Sequence, residues 1–295
     1  MNFVSYSRLA SDITGWACKL PEHDLIVAIP RSGLLPATML GVLRNTRVTT
    51  VNEFVSGVTV GAGSKVPARE VKRVLVLDDS VSSGRSMAKA LKRLWNFNKQ
   101  CIYMPAAVYV VPEATKSVSF YCRRVSNPRL FEWNFIHHHY ISSACVDMDG
   151  FLCMDPKRVD NDGDGPAYRR FIRTAAPLYI PTAKVGCIVT CRLSKYRSQT
   201  EDWLFNHGIS YGGLIMMDYE TAAARRHANV YAEFKAKALR SANFKWNGMP
   251  KFFVESDLVQ ARRINQLTKL CVLCVSNMTL FGGERNWEVT TRGDV

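Results

Sequence analysis

Residues 74–87 read VLVLDDSVSSGRSM. Four apolar residues run into two adjacent aspartates, a turn of small residues follows, and helix-like spacing begins at Ser86. A short apolar run bounded by turn residues predicts a buried parallel strand. In open α/β sheets ligands sit outside the carboxyl ends of such strands, so Asp78 and Asp79 are delivered to a ligand-bearing edge. Backbone N–H groups of a turn, with a helix N-terminus behind them, form an anion site. Ser82, Ser83 and Ser86 add hydroxyl donors, and Gly84 can take a positive φ and let the backbone approach a ligand. Acids repel a phosphate placed directly on them, so vicinal hydroxyls, or a Mg2+ ion bridging those hydroxyls, suit Asp78 and Asp79 better. Acids and turn together predict a ribose 5-phosphate.

The same alternation extends along the chain. Strand-like runs fall at 25–30, 73–79, 104–112, 143–150, 186–191, 252–256 and 270–276, with helix-like spacing at 34–44, 86–97, 198–208 and 258–268. That order predicts an α/β protein with two doubly wound, mainly parallel sheets. A chain of 295 residues suits two domains of ordinary size. The boundary is expected at 138/139, close to the NFIHHHY stretch, giving domains of 1–138 and 139–295. Residues 52–70, NEFVSGVTVGAGSKVPARE, are Gly-rich and weakly patterned, as a functional loop would be.

On these residues the first domain resembles the type I phosphoribosyltransferases, with a general look of the orotate type. Their phosphoribosyl pyrophosphate (PRPP) motif is an apolar strand, Asp-Asp, two residues, Thr-Thr-Gly, one residue, Thr. Here serines replace the threonines at 82, 83 and 86 and keep the hydroxyls, with Arg85 between them. AIPRSG (28–33) resembles the family's upstream pyrophosphate loop and carries Arg31, Ser32 and Gly33. The resemblance implies that a nitrogenous base displaces pyrophosphate from C1 of PRPP. Arg31 and Mg2+ would take up charge on the leaving group, Asp78 and Asp79 would hold the ribose, and 82–86 would pin the 5-phosphate. Segment 52–70 stands where the family has a closing hood, base recognition is expected within 105–135, and a homodimer is implied.

A second acidic pair stands in CVDMDGFLC (145–153). Asp147 and Asp149, two apart in an extended chain, point to one side, and like charges held together call for a cation or a shared proton. This resembles motif I of the haloacid dehalogenase-like (HAD) phosphohydrolases. The resemblance implies Asp147 as the nucleophile and Asp149 as general acid and base. Thr190 in GCIVTCR would bind the phosphoryl oxygen, with Arg192 as a substrate contact. YAEFKAKAL offers Lys235 or Lys237 as the cation. In FFVESD, Glu255 and Asp257 would join Asp147 and Asp149 around Mg2+, although the family has Gly-Asp or Asp-Asp there. About 40 residues separate motifs I and II, and about 45 separate II and III, which implies a small cap or none and room for a bulky phosphate monoester.

Other features carry less. His137, His138 and His139 alternate sides, which suits a linker better than a metal site. Cys271 and Cys274 lack a second pair and read as buried thiols. NDGDG (161–165) lacks the closing Glu of a calcium loop. Nine cysteines without a disulfide framework, no membrane-length apolar stretch and no secretory leader pattern predict a cytoplasmic protein. Lys and Arg outnumber acids 39 to 25, a field that favours phosphorylated partners; the cations are dispersed, so nucleic acid is not the favoured partner. The reading is a bifunctional enzyme, phosphoribosyltransferase then phosphatase. The alternatives are a PRPP-binding regulatory module joined to an independent phosphatase, and a basic nucleic-acid-binding protein.

Overall fold

The computed structural model describes residues 1–57, 70–243 and 251–283, so positions 58–69 of the expected hood lie outside the described residues. The chain divides into two compact units between Trp133 and Asn134, where the sequence reading puts the boundary at 138/139.

The first unit contains β1 (Asn2–Val4), α1 (Tyr6–Ala17), β2 (Leu25–Ala28), α2 (Leu34–Arg44), β3 (Arg47–Thr50), α3 (Val51–Val55), β4 (Arg73–Val81), α4 (Arg85–Phe97), β5 (Ile102–Val110), β6 (Phe120–Arg124) and β7 (Arg129–Phe131). Its main sheet has the order β3-β2-β4-β5-β6 with every pairing parallel. Because successive strand residues face opposite sides, a sheet covered on both faces needs apolar residues throughout. Ile26, Ala28, Leu75 and Leu77 pack with Leu9, Ile13 and Trp16 of α1 and Ala37 and Leu40 of α2. The intervening Leu25, Val27, Val74 and Val76 pack with Met87, Ala90 and Leu94 of α4 on the other side. The direction of winding reverses between β2 and β4, which makes their carboxyl ends the expected ligand crevice. A small parallel pair, β1 with β7, brings the end of the unit back to its beginning.

The second unit contains β8 (Ala144–Val146), α5 (Pro166–Thr174), β9 (Cys187–Leu193), α6 (Arg197–Asn206), β10 (Leu214–Met217), α7 (Ala222–Ala228), α8 (Tyr231–Ser241), β11 (Phe252–Glu255), α9 (Leu258–Thr268), β12 (Cys271–Cys274) and β13 (Thr279–Phe281). The sheet order is β10-β9-β8-β11-β12-β13, parallel except for the β12–β13 pair. The first strand, β8, lies between β9 and β11, so the reversal falls at its carboxyl end. α8 and α9 cover one face through Ala232, Ala236, Leu239, Ala261 and Ile264. Between β8 and β9 the one α-helix is α5. The NDGDG stretch is its lead-in: the Asp162 carboxylate accepts from Ala167 N and Tyr168 N. No helix among the described residues is long and apolar enough to cross a membrane.

Candidate active sites

In the first unit, β4 runs through the aspartates to Val81, so both acids belong to the strand itself. Asp78 and Asp79 are buried. Asp79 N donates to Asp78 Oδ1 at 3.0 Å, and the Trp133 indole Nε1–H donates to Asp79 Oδ2 at 2.7 Å. Burial, and then the Asp79 charge, push the Asp78 carboxyl well above the usual carboxylate range. Burial also raises Asp79, against the opposing pull of Trp133. Arg129 lowers both. The strand thus ends in an acid pair with little internal compensation, a surface that favours hydroxyl donors or a cation.

The turn after it has the form the sequence suggests. Gly84 takes φ +73° as the residue before α4, and a Cβ there would lie 2.4 Å from Ser117 Oγ and 2.7 Å from Ser117 Cβ. No L-residue fits without moving the Pro112–Ser117 turn. Ser82, Ser83, Arg85 and Ser86 are exposed, and Arg85 Nε donates to Ser83 Oγ at 3.3 Å.

The PRSG loop leaves β2 beside the acid-bearing strand. Ile29 N donates to Leu77 O, and the Pro30–Arg31 peptide is cis. Gly33 is buried so tightly that a Cβ would meet Ile29 O at 2.4 Å, Leu77 O at 3.0 Å and Asp78 Cα at 3.2 Å. Glycine at 33 is therefore what lets the loop lie against the acid-bearing strand. Arg31 is exposed and Ser32 half-buried.

In the second unit three charged side chains converge where β8 and β11 end. Lys235 Nζ lies 2.7 Å from Asp147 Oδ2 and 2.7 Å from Glu255 Oε2, and all three are buried. Burial opposes the Lys235 charge, but Asp147 and Glu255 outweigh it and hold the ammonium above its ordinary range. For Asp147, burial is the leading influence and raises the carboxyl; Lys235 pulls it down and Glu255 pushes it up. One ammonium between two carboxylates leaves a net negative charge in a dry place. Lys237, the other candidate cation, is exposed.

Asp149 is committed elsewhere. Arg192, itself buried, donates from Nε to both carboxylate oxygens at 3.1 Å and from Nη2 to Oδ1 at 2.5 Å. Arg192, expected as a substrate contact, has its guanidinium on Asp149 and also donates to Cys153 Sγ. Thr190 is fully buried in β9, with Oγ1 accepting from Arg192 N.

The four acids expected around Mg2+, Asp147, Asp149, Glu255 and Asp257, all line one cavity, and each already has a partner within the protein. Asp147 and Glu255 share Lys235, Asp149 faces Arg192, and Asp257 caps α9 by accepting from Gln260 N. The second Glu255 oxygen accepts from Ser256 N and Asp257 N. Among the described residues no group of three or more His, Cys, Asp or Glu could hold a metal ion. The donor set as it stands fits an internal ammonium better than a divalent cation.

A cavity of about 350 Å³ opens over this cluster, lined among others by Asp147, Asp155, Tyr168, Cys191, Arg225 and Lys235. Asp155, Arg225 and Tyr168 carry no motif signal and went unnoticed in the sequence. Gly150, at φ +79°, brings the chain back so closely that a Cβ would meet Ser256 Oγ at 2.3 Å and Asp155 Oδ2 at 2.8 Å. In the first unit the unnoticed residues are Trp133 and Arg129.

Comparison with known proteins bears on the first of these sites. The family model for the phosphoribosyl transferase domain matches residues 5–141, so that part of the chain reads as a phosphoribosyl transferase domain. Among solved structures, the xanthine-guanine-hypoxanthine phosphoribosyltransferase of Helicobacter pylori is 17% identical over 45% of this chain and 91% of its own, with a TM-score of 0.37. The purine phosphoribosyltransferase of Pyrococcus horikoshii is 19% identical over 45% and 92%, at 0.34. The orotate phosphoribosyltransferase of Aeropyrum pernix is 17% identical over 36% and 60%, at 0.26. Likenesses this slight bear on neither base nor activity. No curated protein matches the chain.

Proposed function

We propose that the first unit transfers the phosphoribosyl group of PRPP to a nitrogenous base. The observation that carries this reading is the buried acid pair at a reversal of winding, with Gly33 of the PRSG loop packed on the Asp78 backbone and the Gly84 turn leading from the same strand into α4. A base nitrogen attacks C1 as the C1–O bond to pyrophosphate breaks. The base sheds its proton to solvent or a nearby acceptor, and pyrophosphate leaves with the bond electrons. Asp78 and Asp79 accept hydrogen bonds from the ribose hydroxyls, the 82–86 turn holds the 5-phosphate, and Arg31 donates to pyrophosphate oxygens. Asp78 and Asp79 would hold a Mg2+ ion bound with PRPP, and the chemistry it would supply is neutralisation of charge on the leaving group. The test is mass spectrometry of products from PRPP, Mg2+ and a pool of purine and pyrimidine bases. A new ribonucleotide and stoichiometric pyrophosphate are expected, both lost in Asp79→Asn. Binding of PRPP without pyrophosphate release would make the unit a regulatory module instead.

For the second unit we infer hydrolysis of a phosphate monoester. The clustering of Asp147, Lys235 and Glu255 at the sheet's reversal, beneath a polar cavity, supports this. Asp147 would attack phosphorus as the ester P–O bond breaks, and water would then cleave the acyl phosphate. Asp149 would protonate the leaving oxygen and later take a proton from that water, for which it must loosen its pair with Arg192. Lys235 would offset charge as the phosphoryl group arrives. If the substrate is the nucleotide made by the first unit, phosphate release from a PRPP-fed reaction falls when base is omitted. Equal release with and without base would separate the two activities, and Asp147→Asn would abolish release in either case.

A further inference from the structure

The acid pair of the first unit has a partner that lies 54 residues beyond Asp79 in sequence. Trp133 closes the segment Arg129–Trp133, which the parallel pairing of β7 with β1 holds in place: Asn2, Phe3 and Val4 align with Arg129, Leu130 and Phe131. The return is pinned twice more, by Glu132 N donating to Val4 O and by Tyr6 N donating to the Glu132 carboxylate at 2.7 Å. The indole is wedged among Phe131, Tyr6 and Tyr109, with ring centroids at 5.0, 5.9 and 6.3 Å. Its orientation is thus fixed by its neighbours, and that orientation aims Nε1–H at Asp79 Oδ2 at 2.7 Å.

A packed tryptophan needs some acceptor for its N–H, and a backbone carbonyl is enough. Trp203, in the other unit, uses Ala175 O at 2.9 Å. Trp133 instead meets a buried carboxylate, at the strand edge where the pentose is expected. A donor fixed on one oxygen sets the plane of the carboxylate and leaves its remaining lone pairs for other donors. Charge-assisted hydrogen bonds of this kind are the stronger ones.

We propose that Trp133 is a positioning residue of the pentose site, its indole N–H fixing the Asp79 carboxylate in the orientation that receives the ribose hydroxyls. The segment 129–133 is then part of the PRPP site, although it lies outside both loop motifs. This rests on the PRPP reading of the first unit.

The test uses the full chain and PRPP with Mg2+ as the probe. Trp133→Phe keeps the ring and removes the donor. It is expected to weaken PRPP binding by about tenfold to a hundredfold, the range for a hydrogen bond to a charged group. In an Asp79→Asn background the same change should cost less than twofold, since the bond is already altered. With the six tryptophans labelled at the indole nitrogen, the Trp133 N–H resonance is identified by its loss in W133F. It is expected to move in D79N and on adding PRPP. Binding by W133F within twofold of the unaltered protein overturns the inference, as does an equal loss in both backgrounds or a resonance unmoved in D79N. If W133F fails to fold, the resonance decides, assigned instead by its disappearance in Trp133→His. A chain that binds no PRPP, yet shows the D79N shift, overturns the PRPP reading itself and takes the positioning role with it.

Discussion

Asp78 and Asp79 stand near the end of a buried strand with an indole N–H and the charge of Arg129 to offset them. Asp147 and Glu255 end buried strands of the other unit clasping one ammonium at 2.7 Å on each side, and their neighbour Asp149 is clasped by a guanidinium. Both clusters lie where winding reverses, and both put acids in a dry place; they differ in who supplies the positive charge. In the first unit the acids remain under-compensated, so the cost of burying them persists until a ligand donates to them. In the second, the protein supplies its own cations in direct contact with the acids, so the resting site is tightly bonded. One cluster awaits its counter-groups, and the other already holds its own.

The largest way to break this contrast is to take away the internal cation. Lys235→Met leaves Asp147 and Glu255 buried without their shared cation, a change that costs about 3–5 kcal/mol. The unfolding of the second unit, followed by calorimetry, should move down accordingly, and phosphate release should vanish. Lys237→Met, two residues along and exposed, should stay within about 0.5 kcal/mol of the starting protein.

A smaller effect is expected at Gly84. Alanine there must hold φ +73° and push its Cβ against Ser117, so Gly84→Ala should cost about 1–3 kcal/mol and weaken PRPP binding. Adding Ser117→Gly removes the clash but not the strained φ, and should restore only part of the midpoint.

Smaller again, and opposite in sign, is the response to relieving the first acid pair. The folded-state pKa of Asp78 is raised, so its favourable contribution is complete below the ordinary carboxylate pKa and is lost as pH rises through the folded value. The melting midpoint of the first unit should therefore fall as pH climbs past the usual carboxylate range. Asp78→Asn should flatten that slope and hold or raise the unit's stability at neutral pH by about 1 kcal/mol, while PRPP binding is lost. A midpoint independent of pH in the unaltered protein would remove the contrast between the two clusters.

Much of this was legible in the residues. Apolar runs ending in Asp-Asp and Asp-x-Asp placed strands and acids, because a buried parallel strand needs apolar residues on both faces and has a polar end. The helices at 34–44 and 258–268 match α2 and α9 to the residue. The choice between Lys235 and Lys237 was also available: Ala232, Ala236 and Leu239 mark the buried stripe of α8, and position 235 falls on it while 237 does not. Trp133 was not legible, because its link to Asp79 depends on a β1–β7 pairing between three-residue strands too short to carry a pattern. The pairing of Arg192 with Asp149 was hidden likewise, since an arginine near a strand end reads equally well as a substrate contact.

Asp257 sharpens the contrast through the smallest effect. Its carboxylate was expected to bind a metal, whereas the structure uses it to cap α9, accepting from Gln260 N at 2.8 Å. Serine at this position retains a capping oxygen and removes the carboxylate, while alanine removes both. If the carboxylate matters only as a cap, Asp257→Ala should lower the second unit's stability by about 1 kcal/mol and Asp257→Ser by less than half of that, with phosphate release per folded molecule unchanged in both. If it draws a divalent cation into the cluster, both variants lose release together, and added Mg2+ raises the midpoint of the unaltered protein but of neither variant. The second outcome would mean that the ammonium of Lys235 only holds the place of a metal until substrate arrives. The two acid clusters would then differ in degree of compensation and no longer in kind.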